Sequence, residues 1–413
     1  MPIEAPSSDS PRHLPWAPGW TSPSLASSFA ACLTVLLASS CAGGGGAASR
    51  APEDPAGAQA SVDAAEAALA AGDEVRALAL FRRIATQGDL EAERRLRVLP
   101  GLARAQEQVG DFEGAVHSYA GALAEPEAVP GELRAELLAR KGAVEAELQR
   151  WKPSAESFAL AYAALEPDAL DSTRIELLAR RAYAQFSGDE LDACIATLDE
   201  AEAIWAAASE SQAERFSNYY FVGMMRFYRA AVLHRRFRDL PVRLPETQMA
   251  KDFEAKMALL QEAQAAYNRT IEIKHVYWVS AAGYQLGHLF EEFYDDLMYA
   301  PVPDWLEDRD RVVYYEELKE QLRPLVNKAI WVFEKNLEVA RRLGYENDFT
   351  EQTQAALARL QSVLLAGDRG LGAPHPRLAP LAGSAGANGE GEVDAAELPP
   401  AEAKLYVPRP TPL

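Results

Sequence analysis

The sequence predicts an all-α chain built as a stack of helical hairpins, an α-solenoid, and three observations carry that expectation. Alanine, leucine and glutamate crowd the middle of the chain, a bias that favours helix. Within that stretch a turn-like phrase returns at nearly constant intervals. Between the turns, apolar residues recur at steps of three and four, the spacing of one helix face. At 413 residues the chain also exceeds what one compact core usually serves.

The first element is a leader over residues 1–40. Leu25 to Leu37 carries no charge, long enough for a signal-peptide core and short of the roughly 20 residues that span a bilayer. It runs into Leu36-Leu37-Ala38-Ser39-Ser40-Cys41. Small residues before a cysteine at that place resemble the lipobox of bacterial lipoproteins, which implies that Cys41 is diacylated and becomes the membrane anchor. The match departs at Ala38, where the family prefers leucine. A cleaved secretory signal and an alanine-rich leader are the other readings. Residues 41–57, rich in Gly, Ala and Pro, read as a flexible tether.

Repeats are expected over 58–209. Gly72-Asp73, Gly110-Asp111, Arg150-Trp151 and Gly188-Asp189 each open a second helix that carries an alanine five residues on: Ala77, Ala115, Ala155 and Ala193, 38, 40 and 38 residues apart. Glycine supplies positive φ at a helix end and aspartate caps the next helix. Phe81 and Tyr119 follow the first two alanines by one turn, where an aromatic fills the groove beside a small residue. In the other two repeats that place falls on Ala159 and Thr197. First helices read as Leu99–Val109, Gly131–Leu148 and Thr173–Phe186, with Pro100 in a first turn, where proline is tolerated. The Ala-x3-aromatic phrase resembles the second helix of a tetratricopeptide repeat, its usual period lengthened by a few residues.

Over 210–366 the pattern lengthens. Phe216–Phe237 reads as one helix, Leu240–Pro245 as a break, and Met249, Phe253, Met257, Leu260, Ala263, Tyr267 and Ile271 as an inward stripe. Leu286, Gly287 and Phe290 match a first helix whose partner arrives at Ala329–Phe333 after Pro301-Val302-Pro303. This block, with Tyr284-x-Leu286-Gly287-x-Leu289-x-Glu291-x-Phe293 and Pro324–Ile330, resembles tetratricopeptide proteins of deltaproteobacterial gliding-motility and envelope machinery. The resemblance implies a lipoprotein or periplasmic adaptor, most simply on the outer membrane facing the periplasm. Residues 367–413 read as a disordered tail, with Lys404–Pro410 able to dock as an extended peptide.

The net charge of −20 speaks against nucleic acid, whose phosphates it repels. Three cysteines build neither a disulfide framework nor a zinc cluster, and Cys194 reads as a buried thiol. His288-Leu289-Phe290-Glu291-Glu292 lacks the second histidine of an inverted zinc-protease motif, and Gly43–Gly46 lack the Lys-Ser/Thr of a phosphate loop. No enzyme activity, cofactor, metal or small-molecule substrate is expected. Glu291, Glu292, Asp295 and Asp296 read as a solvated acidic face, with a calcium or basic-partner surface as the alternative. Arg226, Arg229, Arg235, Arg236, Arg238 and Arg243 cluster within eighteen residues. They either pair internally with neighbouring acids or form a docking patch for an acidic partner or lipid headgroups. The expected role is a scaffold or adaptor that binds a protein partner in the envelope. An assembly chaperone, a pilotin-like lipoprotein and a cell-wall-polymer binding module are the alternatives.

Overall fold

The turn inside each of the first four hairpins is one geometry used four times in a computed structural model that describes residues 62–86, 92–212, 214–302 and 307–368. The expected leader, Cys41, the tether and residues 369–413, with Lys404–Pro410, lie outside the described residues. The described residues belong to the unit Gln59–Leu413. Among them are thirteen α-helices, one 3-10 turn at Pro126–Ala128 and no strand. The chain is all-α in that sense. In order the helices are α1 Val62–Ala70, α2 Glu74–Ala85, α3 Ala92–Gln108, α4 Phe112–Ala122, α5 Gly131–Glu147, α6 Trp151–Ala163 and α7 Asp171–Ser187. Then come α8 Leu191–Ser211, α9 Tyr220–Asp239, α10 Glu246–Ile271, α11 Val276–Met298, α12 Asp308–Leu343 and α13 Asp348–Asp368. Odd and even helices pair as hairpins from α1/α2 to α11/α12, each hairpin packs on the next, and α13 covers α11 and α12.

The left-handed residue of the four turns is Gly72, Gly110, Gln149 and Asp189, with φ of 72°, 80°, 56° and 63°. The next residue's N–H reaches back to a carbonyl five residues earlier: Asp73 to Ala68, Asp111 to Gln106, Arg150 to Glu145 and Glu190 to Gln185, at 2.8–2.9 Å. This closes the orphan carbonyls of the first helix. Asp73 and Asp111 then cap the second helix by accepting from the N–H of Arg76 and Gly114. Arg150 and Glu190 make no such side-chain cap.

Counted from these turns, the repeat register differs from the sequence alignment in the third and fourth hairpins. The fourth residue after the cap is Ala77, Ala115, Ser154 and Cys194; the eighth is Phe81, Tyr119, Phe158 and Leu198; the eleventh is Ile84, Ala122, Ala161 and Ala201, all buried. Ala155 is buried one place off this position, and Ala193 is exposed. The aromatic missing at Ala159 is therefore present as Phe158. The cause is the turn: Gln149, not Arg150, takes the left-handed conformation, and Asp189 does so while Gly188 stays at φ −86°. Aspartate tolerates that region better than most residues, so the Gly-Asp pair misleads there.

Small residues on first helices face these large ones. A Cβ placed on Gly101 would lie within 3.0 Å of the Phe81 ring, and one on Gly142 would lie 3.2 Å from Phe158. The same relation places Gly287 against Phe333, with Ala329, Leu286 and Phe290 buried around it.

Four further expectations are corrected. Pro100 sits mid-helix in α3, which starts at Ala92 rather than Leu99. Having no N–H, Pro100 cannot donate to the Leu96 carbonyl. α9 begins at Tyr220, leaving Phe216 in the preceding loop, edge-on to Trp205 at 5.1 Å. α13 runs to Asp368, past the tail boundary expected at 367. On α10, Phe253 of the expected inward stripe is exposed, while Asp252 and Lys256 are buried. The break after α9 explains this, because its last carbonyls need donors. Lys256 Nζ donates to the carbonyls of Phe237 and Leu240 at 2.7 and 2.8 Å. Asp252 accepts from the Arg243 backbone and guanidinium at 2.9–3.1 Å, which holds its carboxyl down at about 2.

The largest apolar core runs without interruption from Ile175 on α7 to Leu360 on α13, across residue 210, with Trp278 and Tyr228 fully buried in it. Smaller cores serve the first three hairpins.

Candidate functional site

Two places concentrate functional groups: a groove across first helices near the start of the described chain, and a buried polar cluster around α11. The groove has a volume of about 600 Å³ and is lined from α1, α3 and α5, including Leu69, Leu96, Pro100, Gly101, Gln108 and Leu133. Its charged groups form a ladder between successive first helices. Arg97 of α3 binds Asp63 and Glu66 of α1 at 2.7 and 2.8 Å. Arg104 binds Glu136 of α5, and Arg140 of α5 binds Glu107 of α3 at 3.4 Å. Burial raises the Glu107 pKa, outweighing the hydrogen bond from Tyr119 and the charge of Arg140. Each rung spans about one repeat in sequence. These pairs are partly to largely exposed, so solvent screening keeps each of them weak.

Behind this face the second and third hairpins each hold a buried polar pair that the sequence reading missed. Ser118 Oγ donates to Gln106 Oε1, and Ser157 Oγ donates to Glu145 Oε2, both at 2.6 Å and buried. Gln185 and Thr197 occupy the same places in the fourth hairpin, also buried. The signal was available: Gln106, Glu145 and Gln185 stand five residues before the cap in three successive turns.

The six clustered arginines are all ion-paired within the chain. Arg226 binds Glu202 at 2.9 Å, Arg229 binds Asp199, Arg236 binds Asp192 at 2.6 Å and Arg243 binds Asp252 at 2.9 Å. Arg235 binds Asp239 at 2.9 Å and lies 3.6 Å from Asp189, while Arg238 binds Glu292. Arg226, Arg229 and Arg269 also line a second groove of about 400 Å³ with Asp199, Glu202 and three alanines of α8 and α10.

Of the solvated acidic face expected on α11, Asp295 is exposed and Asp296 half-exposed, but Glu291 and Glu292 turn inward. Glu291 is 6% exposed and Glu292 is partly buried, because basic groups of α9 and α13 converge on them beside His288 of α11 itself. His288 lies 3.3 Å from Glu291 through Nδ1 and 3.1 Å from Glu292 through Nε2. Arg359 of α13 binds Glu291, and Arg238 of α9 binds Glu292. His234 of α9, fully buried, meets Glu292 through Nε2 at 2.8 Å and Tyr267 of α10 through Nδ1 at 3.1 Å. A carboxylate only accepts, so Nε2–H donates to Glu292 and Nδ1 accepts from the Tyr267 hydroxyl.

Burial alone would lower the His288 pKa, but the hydrogen bonds to Glu291 and Glu292 outweigh it and push it up to about 9. Burial lowers the His234 pKa, so that ring is neutral. Burial would raise both glutamates. The bonds from His288 and Arg359 pull Glu291 below its ordinary value, and those from His234 and His288 pull Glu292 well below.

Among the described residues no group of three or more His, Cys, Asp or Glu side chains is placed to hold a metal ion. Cys194 is buried, donates to the Ala182 carbonyl at 3.3 Å, and burial pushes its thiol up to about 12, so it is no nucleophile at neutral pH. No helix among the described residues is long and apolar enough to cross a membrane. No family model matches the chain, and no curated protein matches it.

Proposed function

We propose that this chain is a non-catalytic scaffold of the cell envelope, anchored through a lipid on Cys41, that recruits a protein partner along the face formed by its first helices. On this reading the hairpins are a tetratricopeptide-like solenoid and that face is its concave side. The observation that carries the proposal is the groove crossing α1, α3 and α5, in which three successive repeats offer apolar side chains and charge together. The small–large–small register of the second helices supports the repeat type, since it lets paired helices approach closely. Repeat arrays of this kind bind extended segments along such surfaces.

A photo-crosslinking amino acid at Gln108, in the groove, tests this against one at Val75, which projects from α2 and is 76% exposed. In the native host, a stoichiometric protein adduct from Gln108 and none from Val75 is the expected result. Equal adducts from both, or none from either, sinks the groove as the binding face. Transient adducts to newly made envelope proteins would favour an assembly chaperone. Retention on purified peptidoglycan without any protein adduct would favour polymer binding. The anchor is tested separately: Cys41→Ala is expected to leave the membrane fraction, and unchanged partitioning refutes the lipid.

A further inference from the structure

The cluster around α11 is a continuous hydrogen-bonded chain across four helices. Tyr267 of α10 donates to His234 of α9, His234 donates to Glu292 of α11, His288 bridges Glu292 and Glu291, and Glu291 accepts from Arg359 of α13. We propose that His288, donating through both ring nitrogens, is the pin of a clasp that holds the terminal helix α13 onto the last hairpin, so that one proton governs whether α13 stays docked. This goes beyond the scaffold reading and does not depend on it.

The geometry sets the requirement. An imidazole can serve two carboxylates at once only when both nitrogens carry hydrogen. Losing one proton turns one nitrogen's lone pair toward a buried carboxylate, and either Glu291 or Glu292 loses a partner. If it is Glu291, the group that receives Arg359 is no longer fixed. The charges facing His288 are close to balance. α9 contributes Arg238 and the neutral His234, α10 contributes the Tyr267 hydroxyl and Lys256, and α13 contributes Arg359. α11 itself adds Glu291, Glu292, Asp295 and Asp296, with Asp296 bound to Lys256 at 2.9 Å. Tyr284 stacks on the His288 ring at 5.8 Å and 12°, which fixes the imidazole plane toward both glutamates. The high His288 pKa described above agrees with a doubly donating ring. Arg359 ties the two ends of this arrangement across 68 residues of sequence.

α13 is also attached through Phe349, which meets the rings of Tyr277 and Tyr284 of α11, through Ala356 and Leu360, and through Thr353, which receives a hydrogen bond from Asn336 of α12 at 3.0 Å. The two phenols are unaltered in His288→Gln, so a step in α13 docking that this variant lacks comes from the cluster.

Hydrogen exchange on the full chain, corrected for the intrinsic pH dependence of exchange, tests the clasp. Opening of α13 is expected to rise at least tenfold between pH 8 and pH 10 while α4 stays unchanged. His288→Gln is expected to show the open level of α13 at pH 7 and no further step. Arg359→Gln is expected to open α13 at every pH. Flat protection of α13 through pH 10 in the unaltered chain, or a step that persists in His288→Gln, overturns the proposal. Should His288→Gln fail to fold, the imidazole is followed by NMR in the unaltered chain. A ring neutral at pH 8 refutes the clasp, and a ring that loses its proton in step with α13 protection supports it.

Discussion

At the scale of single residues, Gly287 and His288 sit side by side on α11 and are constrained in opposite ways. Gly287 is set by what is missing: any side chain there would occupy the Phe333 ring. Mid-helix glycine costs about 1 kcal/mol relative to alanine, so helix propensity alone would make Gly287→Leu stabilising. Overpacking against a fully buried aromatic outweighs that, and the variant is expected to lose about 1–3 kcal/mol in urea unfolding. A raised melting temperature would refute the close approach of α11 and α12 at this point. His288 is set by what it holds. Its folded pKa of about 9 lies above the unfolded value near 6.5, so its stabilising contribution is complete below pH 6.5 and is lost as pH rises through 9. At about 1.4 kcal/mol per unit, roughly 3 kcal/mol is at stake. The stability gap between the unaltered chain and His288→Gln is expected to be largest below pH 6.5 and to close above pH 9. Glu291 and Glu292, both depressed, set the other limit: their share is present at neutral pH and is lost in acid, as pH falls through and below the ordinary glutamate range.

At the scale of elements, the turns decide register, and they show where sequence reasoning succeeds. Gly72-Asp73 and Gly110-Asp111 announce themselves because glycine and a capping aspartate are the residues each position prefers. Gln149-Arg150 and Asp189-Glu190 adopt the same backbone with residues that advertise nothing of it, which hid Phe158 and Cys194 from the alignment by one place each. A non-glycine residue in this region costs about 1 kcal/mol or more, so Gln149→Gly is expected to raise stability by about 1 kcal/mol. Unchanged or lowered stability in thermal unfolding would mean that the Gln149 side chain compensates for its backbone. The candidate site was less legible than the helices. Periodicity marks a helix face from within one segment, whereas Glu202, Asp199, Asp192 and Glu292 meet their arginines across 24 to 54 residues. The α10 stripe failed for a related reason: buried Lys256 answers carbonyls stranded at the end of another helix, a demand that no local pattern records.

At the scale of the whole described chain, stability is expected to be graded. The core from α7 to α13 is continuous, whereas the first three hairpins rest on separate small clusters joined by partly exposed ion pairs. Arrays with nearest-neighbour contacts open locally where coupling is weakest. Native-state hydrogen exchange is therefore expected to be fastest in α1 and α2 and slowest in α9 and α11, and uniform protection would contradict the gradation. α13 covers the end of the last hairpin by burying Phe349, Ala356 and Leu360, and its exposed positions carry Glu351, Gln354 and Arg359 beside small alanines. Deleting residues 345–413 is expected to cause aggregation, and deleting 369–413 alone is expected not to, as light scattering would show. The repeated turn carries one more consequence. Its geometry survives as Gly-Asp, Gln-Arg and Asp-Glu, so copies of a single structural unit can lose every shared letter at the place where a comparison of letters would look first. Two of these hairpins look like siblings on the page and the next two like strangers, yet all four turns share one left-handed residue and one back-reaching N–H, and likeness in such a chain is better sought in φ angles than in spelling.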